Sequence, residues 1–249
     1  MHNEYYKVLI YCVFYQNSIC LKNKRTSMKT FNPKLIMIDL DGTLVDSVPD
    51  LAYCIDELMK AMNRTPWGEF KVRDWVGNGV LKLVERSLTG ELEASVNKQD
   101  FDKAYSIFLE LYSINTSVRS CLYDGVKEGL DYLKRQGYLL GCVTNKDEQF
   151  TLPILKDLDI FNYFGLVISG DTLVKKKPDP LPLLHSAEFF NIPPQDCLML
   201  GDSISDVIAS RVAGFEIICM SYGYNHGKDI QDVNPDLVID SMIELKDYL

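Results

Sequence analysis

The chain has 249 residues, of which 47% are hydrophobic, and its formal net charge at pH 7 is -9. This length is enough for one substantial core and a smaller second domain. The acidic balance and dispersed lysines and arginines argue against a nucleic-acid partner or an anionic membrane surface, and no segment reaches the roughly 20 apolar residues of a membrane span. Seven cysteines without metal-ligand spacing suit a reducing compartment, so we expect a cytoplasmic protein.

Residues 1–30 differ in character from the chain that follows. The apolar run at residues 8–14 lacks the basic start and the small-residue cleavage site of a secretory signal. Met28 lies a few residues before the first predicted strand and is a candidate for the true start. We expect residues 1–30 to be an extension outside the fold.

The first predicted strand, residues 34–38, is an apolar run long enough for a buried parallel strand. It ends in Asp39 and Asp41, followed by Gly42 and Thr43. In a doubly wound sheet, ligands bind outside the carboxyl ends of the strands. Two neighbouring carboxylates repel each other there, and a divalent cation relieves this repulsion. The alternative is an acidic turn without chemistry, because Asp-Gly is also a common turn sequence.

A helical segment follows, which we predict to be an inserted cap over residues 47–119. Ser47 is the predicted N-cap of its first helix, with Pro49 in the first turn. Apolar residues recur at helical spacing in three stripes: Leu51, Ile55, Leu58 and Met62; Val80, Leu83, Val84 and Leu88; Tyr105, Phe108, Leu109 and Tyr112. A glycine-flanked loop at residues 75–79 is either a simple turn between helices or a contact to a ligand.

Strands and helices alternate from residue 123 onward, which is typical of a parallel sheet with helices on both faces. The predicted strands are residues 138–143, 166–169, 197–200, 217–220 and 237–239. We therefore predict an α/β fold, a doubly wound parallel sheet with a Rossmann-like core, formed by residues 31–46 and 120–249. The helical cap is inserted between these two parts.

Further polar residues stand at or near the ends of these strands: Thr144, Asn145, Lys177, Asp202 and Asp206. In a parallel sheet they gather at one edge, together with the two aspartates of the first strand. Each position also has a purely structural explanation. Thr144 or Asn145 could cap the following helix, Asp202 and Asp206 could cap another, and a run of lysines is usually solvated. We apply that last reading to the two lysines that precede Lys177.

Several of these segments resemble motifs of the haloacid dehalogenase-like phosphohydrolases. The matching stretches are Asp39-Leu40-Asp41-Gly42-Thr43-Leu44-Val45-Asp46-Ser47, Thr144-Asn145, Lys177-Pro178-x-Pro180 and Gly201-Asp202-Ser203-x-x-Asp206. The loop Trp75-Val76-Gly77-Asn78-Gly79 is similar to a cap loop of the phosphoglycolate phosphatases in that superfamily. The resemblance covers roughly residues 30–245.

This resemblance implies catalytic roles for four residues. Asp39 would attack phosphorus, and Asp41 would handle the proton of the leaving group. Thr144 would hydrogen-bond a phosphoryl oxygen. Lys177 would neutralise the nucleophile and the transferring phosphoryl group.

The resemblance also implies a Mg2+ site and substrate contacts. The metal would be held by Asp39, by Asp41 through its backbone carbonyl in the family, and by Asp202, with Asp206 in support behind them. The expected substrate contacts are Thr43, Thr144, Asn145, Lys177 and, from the cap, Asn78.

The expected function is hydrolysis of 2-phosphoglycolate to glycolate and phosphate through an aspartyl-phosphate intermediate. A different small phosphate ester or pyrophosphate, or a sugar-phosphate mutase reaction, remains open. A phosphoryl-sensing interaction protein without turnover is the alternative outside enzymes. In each case the partner is a small phosphorylated metabolite, and the protein is expected to be a monomer or a homodimer.

Overall fold

A parallel β-sheet is the central element of residues 29–93 and 95–249, which the computed structural model describes. Its strands and those of a small ribbon are, in chain order, β1 (Leu35–Ile38), β2 (Val45–Asp46), β3 (Cys121–Leu122), β4 (Leu139–Val143), β5 (Leu166–Ile168), β6 (Cys197–Gly201), β7 (Glu216–Met220) and β8 (Leu237–Ile239). The sheet order is β5-β4-β1-β6-β7-β8, with all neighbours parallel. Apart from its last two residues, the predicted extension 1–30 lies outside the described part.

The helices fall into two groups along the chain. They are α1 (Val48–Ala61), α2 (Glu69–Arg73), α3 (Val80–Thr89) and α4 (Lys98–Ser113), followed by α5 (Val126–Gln136), α6 (Glu148–Asp157), α7 (Leu181–Phe190) and α8 (Ile204–Ala213). Short 3-10 helices cover Phe161–Tyr163, Pro194–Asp196, Ile230–Val233 and Met242–Asp247. None of the helices within the described ranges is long and apolar enough to cross a membrane.

Strand β1 occupies the middle of the sheet, and all four of its side chains are fully buried. It pairs with β4 on one side and β6 on the other, in parallel register from Leu35 against Leu139 and Cys197. The strands that follow β4 and β6 extend outward in opposite directions, so the winding reverses at β1. Such a reversal opens a crevice at the carboxyl ends of the strands. The predicted doubly wound parallel sheet is confirmed.

The helices α1–α4 form the predicted helical cap between β2 and β3. Their apolar stripes meet in one cluster, in which Leu58, Phe108 and Tyr112 are fully buried. Phe150 of α6 and Tyr224 belong to the same cluster, so the apolar contact continues from the cap into the sheet region. The bounds of the cap at residues 47 and 119 stay a prediction.

A two-stranded ribbon at the entrance to the cap was not predicted. In this antiparallel pair Val45 lies opposite Leu122, and Asp46 lies opposite Cys121. Each strand has only two residues, which is too short to show an alternating pattern in the sequence. The ribbon joins both chain passages between the sheet and the cap helices.

Ser47 has the predicted N-cap position of α1, but its hydroxyl makes no capping hydrogen bond. Its Oγ is buried and has no hydrogen-bond partner among the described residues. The backbone N-H of Ser47 instead donates to the phenolic oxygen of Tyr224 at 3.0 Å. A tyrosine far along the chain therefore accepts the hydrogen bond of the backbone N-H at the N-cap, and the local sequence could not indicate this partner.

Candidate active site

Three polar segments meet at the carboxyl ends of neighbouring strands. Asp39 directly follows β1, Thr144 directly follows β4, and Asp202 directly follows β6. The strands are adjacent and parallel, so these residues share one sheet edge. All three side chains are buried. This edge is the crevice at the reversal of the sheet.

The carboxylates of Asp39, Asp202 and Asp206 form a buried acidic triad, with oxygens that all lie within 4.8 Å of one another. Burial raises the pKa of Asp39 to about 7, since the lowering by Lys177 is smaller and Asp206 adds a further increase. Burial, Asp206 and Asp39 together raise the pKa of Asp202. Such crowded carboxylates are stabilised by a bound cation, and a donor set made only of oxygens fits a hard divalent ion.

The hydrogen bonds of the triad separate Asp206 from Asp39. Asp206 accepts from Lys177 Nζ at 2.7 Å, from Ser203 N at 3.0 Å and from Ser203 Oγ at 2.7 Å, with both of its oxygens in use. Asp39 Oδ1 accepts from Lys177 Nζ at 2.8 Å and from Leu40 N at 2.7 Å, and neither contact uses Oδ2. This pattern is consistent with the predictions that Asp39 is a metal ligand and that Asp206 holds the neighbouring side chains in place. The capping alternative for Asp206 is also realised, because it completes a capping box with Ser203 at the start of α8.

Lys177 is a buried cation beside Asp39. Its ammonium contacts Asp39 at 2.8 Å and Asp206 at 2.7 Å, and it donates to the backbone oxygen of Val143 at 2.8 Å. These contacts use all three N-H donors of a lysine. Burial alone would lower the pKa of Lys177, but Asp206 and Asp39 raise it overall. The ammonium therefore stays charged beside the predicted nucleophile.

Asp202 is fixed by the loop after β1 and by the C-terminal part of the chain. Thr43 Oγ1 donates to its Oδ1 at 2.8 Å, and the Tyr224 backbone N-H donates to its Oδ2 at 2.6 Å. Gly42 has a φ of +88°, and a Cβ there would lie 2.3 Å from Asp202 Oδ2. Only glycine therefore allows this approach. Thr43 is fully buried, and its hydroxyl positions this aspartate; its expected contact with substrate stays a prediction.

Thr144 and Asn145 lie at the end of β4, and both face the cap. Asn145 Nδ2 donates to the backbone oxygens of Gly77 at 3.1 Å and Lys177 at 2.9 Å, so it links two loops of the site. Its Oδ1 is buried and has no partner in the described part of the chain. The N-cap of α6 is Asp147, so neither Thr144 nor Asn145 caps that helix.

The predicted acid-base residue Asp41 forms an ion pair with Lys146, which was not among the predicted site residues. Lys146 Nζ lies 3.1 Å from each of its carboxylate oxygens. The ammonium also lies 5.0 Å from the ring centroid of Tyr112, a cap residue. Burial alone would lower the pKa of Lys146, whereas Asp41 and Tyr112 raise it overall. The sequence feature that could have indicated Lys146 is its position at the end of β4, directly after Thr144-Asn145.

A small cavity of about 30 Å³ lies between this sheet edge and the cap, and we call it the capped cavity. Its lining residues are Asp39, Asp41, Thr144, Asn145 and Lys146 from the sheet side, and Leu51, Val76, Gly77, Gly79, Val80 and Leu83 from the cap side. Asn78, the expected cap contact, does not belong to this lining. Its backbone oxygen accepts from Lys176 Nζ at 3.0 Å, so Lys176 contacts the cap loop and is not simply solvated as predicted.

Comparison with known proteins identifies a family for this chain. Residues 33–214 match the family model described as haloacid dehalogenase-like hydrolase. The chain belongs to the haloacid dehalogenase-like hydrolases. The predicted family and the prediction of a hydrolase are thereby confirmed.

Two bacterial relatives match nearly the same share of this chain. A phosphoglycolate phosphatase of Nitrosococcus oceani is 58% identical over 217 residues, covering 87% of this chain and 96% of the relative. A phosphoglycolate phosphatase of Nitrosospira multiformis is 43% identical over 211 residues, with 85% and 93% covered. The matched region thus spans almost the full length of both relatives.

Solved structures share the fold. A protein of Haemophilus somnus 129PT, described as a predicted phosphoglycolate phosphatase, superposes with a TM-score of 0.82 at 35% identity. The match covers 89% of the present chain and 99% of the Haemophilus chain. A protein of Thermotoga maritima described as a β-phosphoglucomutase has a TM-score of 0.66 at 23% identity, with 88% and 100% covered. The second likeness concerns the fold alone.

Proposed function

We propose that this hydrolase is a Mg2+-dependent phosphatase that converts 2-phosphoglycolate to glycolate and phosphate. The observation that carries the proposal is the position of Asp39 at the sheet reversal, beside Lys177 at 2.8 Å and within the acidic triad. Two relatives that match over most of their length are named phosphoglycolate phosphatase. The substrate and the identity of the metal are the new elements of the proposal.

The residues at the sheet edge can carry out the transfer in two steps. Asp39 attacks phosphorus, the bond from phosphorus to the leaving oxygen breaks, and Asp41 donates a proton to that oxygen. Asp41 then takes a proton from water as this water attacks phosphorus, which releases phosphate and restores Asp39. Thr144 contacts the phosphoryl group during both steps, and the positive charge of Lys177, held beside Asp39, stabilises that group electrostatically.

The metal site would use the carboxylates of Asp39 and Asp202 and the backbone oxygen of Asp41, with Asp206 holding Lys177 and Ser203 in place. Bound there, Mg2+ would supply positive charge against the phosphoryl oxygens. Asp206 keeps Lys177 directed at Asp39, because its Oδ1 lies 2.7 Å from the same ammonium. Thr43 fixes Asp202 in the same way, through its hydroxyl.

The capped cavity supports a small substrate. Its volume of about 30 Å³ is far below that of drug-sized pockets, and the cap side offers mainly aliphatic side chains and glycine backbone. At this volume even a two-carbon phosphate ester requires the cap to open, and a bulky leaving group requires a larger opening. Closure over such a substrate excludes bulk water during the transfer.

A substrate panel tests this proposal. The purified enzyme with Mg2+ is assayed on 2-phosphoglycolate, glycerol 3-phosphate, glucose 6-phosphate, pyrophosphate and an aryl phosphate. We expect the highest kcat/KM for 2-phosphoglycolate. A higher value for another ester, or conversion of a sugar phosphate to its isomer without phosphate release, would assign a different substrate or a mutase reaction.

Chelation tests the metal. Excess EDTA should abolish turnover, and added Mg2+ should restore it. Ca2+ should not restore it, because its larger and looser coordination misplaces the nucleophile relative to phosphorus. Full turnover in excess chelator would contradict a metal-dependent mechanism, and binding of Mg2+ measured by calorimetry gives an independent readout.

A further inference from the structure

Lys146 is the cationic side chain among the described residues that line the capped cavity. The other lining residues are carboxylates, neutral polar groups, aliphatic side chains and glycines. Lys177 lies just behind Asp39 and does not belong to the lining. An anionic group that enters the cavity away from the phosphoryl site therefore meets the ammonium of Lys146.

The ammonium of Lys146 has capacity for a ligand. A lysine carries three N-H donors, and the two oxygens of Asp41, each at 3.1 Å, use at most two of them. The Tyr112 hydroxyl lies near the same ammonium but accepts no hydrogen bond within the described residues. Lys177 differs, because Asp39, Asp206 and a backbone oxygen already take its three donors. Lys176 also differs, since it donates to the cap loop from outside the cavity lining.

The position of Lys146 matches the shape of a short carboxylated ester. Asp41 exchanges a proton with the ester oxygen, which requires a hydrogen bond of about 2.5–3 Å. In a phosphate ester of a 2-hydroxy acid, the carboxylate is separated from that oxygen by a single carbon. Because Lys146 Nζ lies 3.1 Å from the Asp41 oxygens, a carboxylate on this carbon reaches the same ammonium.

We propose that Lys146 is a specificity-determining residue that binds the substrate carboxylate, and thereby selects phosphate esters of small hydroxy acids over neutral alcohol esters. The inference rests on the proposed phosphatase chemistry at Asp39. It extends that chemistry to a second anionic subsite. The ring of Tyr112, 5.0 Å from the ammonium, comes from α4, so the cap encloses the charge pair when it covers the cavity.

Two substrates that differ only in the carboxylate test this role. The wild-type enzyme and the variant Lys146→Met are assayed with Mg2+ on 2-phosphoglycolate and on ethyl phosphate, whose leaving group has the same two carbons and no charge. Methionine keeps much of the length of the side chain and removes its charge. The matched control is Lys60→Met, since Lys60 is an exposed lysine of α1 that pairs with Glu57 at 2.7 Å, away from the cavity.

The selectivity ratio, kcat/KM for 2-phosphoglycolate divided by that for ethyl phosphate, is the decisive number. We expect Lys146→Met to lower this ratio by about 100-fold, because a site built for a charged group loses discrimination when its partner is removed. Lys60→Met should leave the ratio unchanged. An equal loss on both esters would overturn the proposal and leave Lys146 as a partner of Asp41 alone, and so would an unchanged ratio.

A crystal structure of the wild-type enzyme with glycolate and Mg2+ keeps the proposal testable if Lys146→Met does not fold. The expected result is a carboxylate oxygen within about 3.2 Å of Lys146 Nζ. A glycolate carboxylate bound elsewhere in the cavity would overturn the assignment. Failure of the proposed substrate is a separate observation, because it would show as a poor kcat/KM of the wild-type enzyme on 2-phosphoglycolate compared with another carboxylated ester.

Discussion

The sheet edge and the cap enclose the same cavity with opposite chemistry. On the sheet side, charged groups balance one another: Lys177 lies between two carboxylates and Lys146 pairs with Asp41. On the cap side, the lining consists of aliphatic residues and two glycines. The sheet edge therefore holds the groups that act on a phosphoryl group, whereas the cap limits the size of what enters and excludes water.

The hydrogen bonds between the two sides show the same division. Asn145 and Lys176 donate side-chain hydrogen bonds from the sheet side, and the cap accepts them with the backbone oxygens of Gly77 and Asn78. The cap loop thus contributes its backbone path to the closed arrangement. Substitutions of the groups that act on the phosphoryl group, such as Asp39 and Lys177, should affect chemistry on every ester, and substitutions in the loop should act through its backbone.

The largest effect should follow removal of the nucleophile at the sheet edge. In Asp39→Asn the amide keeps the shape of the side chain but is a poor nucleophile and a weaker metal ligand. We expect kcat to fall at least ~10³-fold, which corresponds to about 4 kcal/mol of barrier. Asp102→Asn on α4, an exposed residue paired with Lys98, is the control. Turnover of Asp39→Asn within threefold of wild type would rule out the assigned mechanism.

The second effect should follow removal of Lys177, the buried cation between Asp39 and Asp206. Lys177→Met leaves Asp39 and Asp206 without their shared partner, which should lower the free energy of unfolding by about 3–5 kcal/mol. Activity should fall on 2-phosphoglycolate and on an aryl phosphate alike, because Lys177 serves the phosphoryl group. Chemical denaturation and both assays check this result.

The matched control for Lys177 lies two residues earlier in the same loop. Lys175 is exposed and lies 3.5 Å from Asp179. Lys175→Met should change the free energy of unfolding by less than about 0.5 kcal/mol, since an isolated surface ion pair contributes little. Equal destabilisation by both variants would mean that the loop, rather than the buried charge, determines the stability of this region.

The sheet side of this comparison could largely be predicted from sequence. The apolar run of β1 ends at Asp39, and parallel strands bring their carboxyl ends to one edge, so Thr144 and Asp202 had to lie near Asp39. The helical stripes of the cap likewise follow from spacing, as the burial of Leu58 and Phe108 shows. Local pattern is sufficient where one element fixes the direction of a side chain.

The remaining features depend on contacts between distant segments. Thr43 binds Asp202 across 159 positions of the chain, and Lys146 binds Asp41 across 105. Neither partner can be identified from spacing, because several elements must first be packed together. The same applies to Asn78, since its backbone, and not its side chain, makes the contact with Lys176.

A moderate effect should follow a change in the backbone of the cap loop. Gly79 has a φ of +86°, and a Cβ there would lie 2.9 Å from Lys176 Nζ and 3.2 Å from the backbone oxygen of Asn145. In Gly79→Ala the Lys176 ammonium must move away, and the loop must shift by a few tenths of an ångström from the Asn145 oxygen. We expect kcat/KM for 2-phosphoglycolate to fall about 10-fold, with a smaller loss on a bulky aryl phosphate that holds the cap partly open.

Gly68 provides the matched control for the conformational cost alone. Its φ of +78° and ψ of 158° at the start of α2 are close to the φ of +86° and ψ of 165° of Gly79, and a Cβ on Gly68 would meet no atom within 4 Å. Gly68→Ala should therefore destabilise the fold by about 1–3 kcal/mol through backbone strain and leave kcat/KM unchanged. If both alanine variants lose the same activity, general destabilisation explains the loss, and the close approach at Gly79 has no special role.

The smallest effect should come from Asn78, at the centre of the same loop. Its backbone oxygen accepts from Lys176, and its side chain does not belong to the lining of the capped cavity. Asn78→Ala keeps the backbone oxygen and removes only the amide, so kcat/KM for 2-phosphoglycolate should stay within about twofold of wild type, as for most surface substitutions. The measurement is made on 2-phosphoglycolate and on an aryl phosphate. A loss above tenfold that is confined to 2-phosphoglycolate would mean that the amide enters the cavity with substrate, and the cap would then select its substrate by a side chain as well as by its backbone.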